Sequence, residues 1–166
     1  MDYKGSCHCR KISFEVQSEI KRHNFSSSAR SGEFPTHIRA LAFLYCIASL
    51  VHFSHNAEYL PFYPNMPDWL TREQVYMVWI VVTSVGVAAL VLHALGRRIA
   101  SALVLALYGA FGFDALGHYA LALCSQHTLV QNVTIWFEVL AGATLLASCV
   151  AYIGEHIGSR DGDVDV

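Results

Sequence analysis

Charge is scarce in this chain. Asp, Glu, Lys and Arg together make up 14% of its 166 residues, well below the share a soluble globular domain carries. The 11 Lys and Arg against 13 Asp and Glu give a formal net charge of −2 and gather in no basic stripe, so no nucleic-acid partner is expected. The five cysteines, Cys7, Cys9, Cys46, Cys124 and Cys149, contain no C-x-x-C pair, which argues against a disulfide relay. No cleavable leader is expected either: the N-terminus is polar, the first apolar run starts about forty residues in, and no small-residue cleavage site follows it. That first run is therefore expected to stay in place as a helix.

What the chain has instead is hydrocarbon, with 54% hydrophobic residues and a mean hydropathy of +0.39. Four apolar runs carry the excess, at 40–60, 75–95, 99–123 and 129–153, each near the roughly 20 residues that a helix needs to cross a bilayer. The expected fold is all-α: a four-helix, up-down-up-down transmembrane bundle over 37–154, behind a short polar N-terminal segment (1–36) and ahead of a disordered acidic tail (155–166). Its first partner is the lipid bilayer itself, and a homo- or hetero-oligomer is left open. Thr71-x-x-Gln74 and Thr128-x-x-Gln131 have the spacing of capping boxes and mark the starts of the second and fourth helices. Between the first two helices Pro61, Pro64 and Pro67, set among Tyr59, Phe62, Tyr63 and Trp69, predict a loop lying at the membrane interface. The second helix carries only Thr83, Ser84 and Gly86 as weakly polar or small positions and is read as scaffold.

The polar segment holds one short alternating piece, Ile12 to Val16, that predicts a strand. The stretch GSCHCRKISFEV, Gly5 to Val16, resembles the opening of the glutathione-dependent formaldehyde-activating enzyme family, whose domains begin with a C-x-C zinc motif followed by a strand. The resemblance covers residues 5–16 alone and implies Cys7 and Cys9 as zinc ligands. The family's further cysteines have no counterpart downstream, and two thiolates do not close a tetrahedral zinc site, so the activity of that family is not expected here.

Orientation follows from Lys and Arg in the short loops. Lys21, Arg22, Arg30 and Arg39 precede or open the first helix, Arg97 and Arg98 form the turn between the second and third, and Arg160 follows the fourth, against Arg72 alone on the other side. Both termini are thus expected in the cytoplasm, with the Pro-rich loop and the 124–128 turn outside.

Against this hydrocarbon background a few polar residues stand out. Asp114 and His118 lie four apart in the third run, one face of a regular helix. His52 and His55 share a stripe of the first, and Glu138 sits in the fourth with Gln131 and Thr134 on the same side. Counting from the outer ends, all five lie about 8 to 14 Å deep. A buried carboxylate costs several kcal/mol unless it finds a counter-charge, and a divalent cation offsets two of them at once. The leading expectation is therefore a metal site open to the outside, with zinc, iron or copper held by His52, His55, Asp114 and His118 and with Glu138 as general base. Such a centre suits a membrane-embedded hydrolase or an oxidoreductase. Haem between His52 and His118 is a weaker expectation, because it leaves Asp114 and Glu138 without a role. The competing expectation is an unmetallated polar network in a non-enzymatic proton or ion conductor, or in an anchor subunit.

Overall fold

The computed structural model describes residues 4–6, 13–15 and 34–161. It divides into two compact units with a boundary at Phe34. In the first, β1 (Lys4–Ser6) pairs antiparallel with β2 (Ser13–Glu15), Gly5 standing opposite Phe14. The predicted strand is therefore present, while Cys7 and Cys9 lie outside the described residues.

The second unit is the helical bundle. Its helices are α1 (Thr36–Glu58), α2 (Arg72–Ala94), α3 (Arg98–Ala110), α4 (Gly117–Leu121) and α5 (Leu129–Asp161), and a 3-10 segment, Phe111–Leu116, joins α3 to α4 into one span. All four spans are long and apolar enough to cross a membrane. Both predicted capping boxes form: Gln74 N–H donates to Thr71 Oγ1 at 3.3 Å while Thr71 N–H donates to Gln74 Oε1 at 2.8 Å, and Thr128 and Gln131 repeat the exchange at 3.3 and 2.7 Å. The last helix runs through Asp161, so residues 155–161 are helical where a disordered tail was expected. The apolar period that ends near 153 gives way to a polar helix end, and a helix needs no buried stripe in its last turns once it is nucleated. Residues 162–166 lie outside the described residues.

The spans pack in a ring, α1 against α2 and α5, and α3 against α2 and α5. The closest approach is between α3 and α5. A Cβ on Gly109 would stand 2.8 Å from the Gly142 carbonyl, and one on Gly142 would stand 2.5 Å from the Gly109 carbonyl. Glycine lets the two backbones touch, which is how membrane helices gain packing energy without a hydrophobic driving force. The outer surface is lipid-like, with Val81, Leu140, Leu103 and Phe43 all well exposed.

Two turns set the ends of the bundle. Gly96, at φ 74°, closes the short connection before α3, a left-handed position that glycine adopts without strain. Asn65, at φ 57°, does the same in the Pro-rich loop, and its Nδ2 donates to the Leu121 carbonyl at 2.8 Å. That bond fastens the loop across the end of the third span. Here "the loop end" means the end carrying residues 59–71 and 122–128.

Candidate functional site

The inward stripe of α1 reads Tyr45, Ser49, His52, Asn56, spaced by three or four residues and buried throughout. Opposite it, α5 presents Gln131, Thr134 and Glu138, also buried. His118 reaches the same space from α4, and His127 from the turn before α5. Together these form a polar centre inside an apolar bundle, nearer its loop end.

Its hydrogen bonds fix much of the protonation pattern. Thr134 Oγ1 donates to the Gln131 carbonyl at 3.0 Å, so towards His52 Nδ1, at 3.4 Å, it can only accept. His52 therefore carries its proton on Nδ1 and turns the Nε2 lone pair to Glu138 Oε2, 3.8 Å away. The pair is nearly dry, with side-chain exposures of 3% and 1%. His127 Nδ1 donates to the Leu123 carbonyl at 3.0 Å, leaving its Nε2 as an acceptor too. His118 Nε2 accepts from Asn56 Nδ2 at 3.3 Å. The imidazoles stand in a row: ring centres of His127 and His118 are 6.2 Å apart, and those of His118 and His52 5.3 Å, each pair edge to face. Glu138 Oε2 and Asn56 Oδ1 have no hydrogen-bond partner among the described residues. The centre thus holds more acceptors than donors.

Tyr63, from the Pro-rich loop, roofs the row. Its ring lies 4.8 Å from that of His118 and 6.5 Å from that of His127. Burial pushes its pKa up to about 12, outweighing a contact with the Thr134 hydroxyl, so the phenol keeps its proton and can donate to His55 Nδ1 at 2.8 Å. His55 stacks on Tyr59 and borders a cleft of about 520 Å³ lined also by Phe62, Thr128, Val130 and Gln131.

Of the residues picked from the sequence, His52, His118 and Glu138 come together, whereas His55 and Asp114 stand apart from them. His55 lies three residues past His52, about 60° round the helix, and is turned to the loop aromatics. Asp114 is exposed. The pairing of Asp114 with His118 assumed about 100° per residue, but the 3-10 segment turns by about 120° and rotates Asp114 off the face that His118 occupies. Asp114 remains within electrostatic reach of Glu138. Among the described residues no group of three or more His, Cys, Asp or Glu is placed to hold a metal ion, so the expected ligand set of His52, His55, Asp114 and His118 does not assemble.

His127, which sequence spacing does not group with the other polar residues, is only 7% exposed. A signal was available, because it immediately precedes the Thr128 cap, the position from which side chains fold back over a helix's first turn. Asn56 could have been found as well, lying one turn beyond His52 on the same stripe. No family model, no curated protein and no solved structure matches the chain.

Proposed function

We propose that this is an integral membrane protein whose bundle carries a proton-exchanging centre, His52 with Glu138, reached from the extracytoplasmic face through His118 and His127. The row of imidazoles leading from the loop end to a buried carboxyl that faces His52 carries this reading. Each neutral imidazole has one N–H and one lone pair, so it can accept a proton on one side and release one on the other. The sequence has no Lys or Arg between Arg98 and Arg160, nor between Arg39 and Arg72. The counter-charge within reach of Glu138 is thus a protonated imidazole, and the proton passes between the two. The reading belongs with the polar-network alternative rather than with a metal centre, since two of the four expected ligands point elsewhere.

Infrared difference spectroscopy on proteoliposomes tests it. An acid step outside the vesicle is expected to raise a carboxylic C=O band that Glu138→Gln removes, and His127→Ala is expected to slow its rise. A band that stays when Glu138 is replaced, or that rises as fast without His127 and His118, would sink the proposal.

The orientation has its own check, motivated by the Lys and Arg asymmetry. In a variant lacking the native cysteines, Asn65→Cys is expected to react with an impermeant thiol reagent on intact cells, and Ser159→Cys only after lysis. The reverse pattern would put the centre on the cytoplasmic side.

A further inference from the structure

The α1 stripe does not stop at His52. Farther from the loop end, Ser49 lies beside Glu138, and Tyr45 packs edge to face on Tyr108 of α3 with ring centres 4.6 Å apart. Tyr108 in turn stands against Thr83 and Gly86 of α2. Along this line Glu138 Oε2, Ser49 Oγ, Tyr45 Oη, Tyr108 Oη and Thr83 Oγ1 are all buried, and although Ser49 stands next to Glu138 and Thr83 next to Tyr108, none makes a well-formed hydrogen bond among the described residues. Each such atom is costly to the fold if it stays unsatisfied. Scattered through the fold they would have no common cause. Here they form a file from the His52 and Glu138 pair into the middle of the bundle, and every member is a group that water satisfies.

Beyond the file the character changes at once. Ile38, Leu105 and Leu145 are buried to within 2%, and Leu145 packs on Gly109, the residue after Tyr108. Ser101, one turn farther along α3, is buried too, but its hydroxyl is spent on the Ala89 carbonyl at 2.6 Å.

We infer that the file holds internal water, so that the centre and the file together form a proton well continuous with the loop end and sealed towards the other face by Leu105 and Leu145, with Ile38 farther along α1. This rests on the proton-exchange reading above. The titratable groups facing Glu138 are His52 and Tyr45 from α1, Tyr108 from α3 and Asp114 from the 3-10 segment. The cations of these segments, Arg39 of α1 and Arg98 of α3, lie in the first turns of their helices, at the end of the bundle away from the loop end.

The experiment is a gain of function. Vesicles loaded with a pH-sensitive dye, given a pH gradient and clamped at zero potential with valinomycin, are expected to be as tight with the parent protein as without protein. Leu145→Ser puts a hydroxyl in the seal and is expected to raise proton flux about tenfold, as when a hydrophobic constriction is wetted, and the added Glu138→Gln is expected to abolish the increase. Leu105→Ser is the second variant, and both are first shown to be helical and monodisperse in detergent. Steady flux through the parent, no flux through either folded variant, or flux indifferent to Glu138 would each overturn the well. The two proposals fail separately. A Glu138 band that follows external pH while both variants stay tight removes the well alone, whereas a leak without such a band removes the proton-exchange reading.

Discussion

Gly142→Ala is expected to destabilise the bundle by roughly 1 to 3 kcal/mol, the range for overpacking a filled interior, and Gly142→Leu to prevent its assembly. A Cβ at this position would sit 2.5 Å from the Gly109 carbonyl, 3.1 Å from the Gly112 Cα and 3.2 Å from the Tyr45 ring. Two of these neighbours are backbone atoms on the facing span, so relief requires the spans to separate. Separation disturbs Tyr45 and the polar file with it. Gly109→Ala should cost about the same, since its Cβ would meet the Gly142 carbonyl at 2.8 Å and the Leu146 nitrogen at 3.0 Å. Gly117→Ala is the control: nothing lies within 4 Å of its Cβ position, its backbone is right-handed helical, and alanine there should be neutral or gain up to about 1 kcal/mol. Unfolding in mixed detergent micelles measures all three. Equal losses at Gly142 and Gly117 would mean that the close approach is not what holds α3 to α5.

Much of this architecture is legible without coordinates because membrane helices announce themselves by length and apolarity, and capping boxes by spacing. Thr71 with Gln74 and Thr128 with Gln131 needed no tertiary information. Side-chain direction in the third span did. The rule that residues four apart share a face holds only while the helix keeps its pitch, and Phe111–Leu116 does not keep it. Within it, Gly112 is pressed against the Glu138 carbonyl and the Tyr45 ring. That such contact goes with a tighter turn, and so swings Asp114 out while His118 stays in, depends on the facing helix and is not written in the segment itself. The same holds for His127, whose burial depends on the fold of the Pro-rich loop that brings Tyr63 over it.

The second large effect concerns Glu138 and has an unusual sign. Glu138→Leu is expected to leave the protein as stable as the parent or more stable, by up to about 3 kcal/mol, because it removes a desolvated carboxyl that no Lys or Arg of its own span offsets and keeps the volume filled. His52→Ala is expected to cost about 2 to 4 kcal/mol. It opens a cavity against Phe53 and His118, whose rings lie 5.9 and 5.3 Å away, and it strips Thr134 of its contact. If the pair shares a proton, the double variant His52→Ala with Glu138→Leu should depart from the sum of the two single changes by about 0.5 to 3 kcal/mol, the coupling found between touching groups. A carboxyl retained at a cost to stability is the mark of a group kept for its chemistry, whereas a polar network that only fixed helix register would be stabilised by the same carboxyl. The measurement is the unfolding free energy of parent, single and double variants in one detergent. A Glu138→Leu protein several kcal/mol weaker than the parent would make the carboxyl a structural strut and leave the row of imidazoles with nothing to deliver protons to.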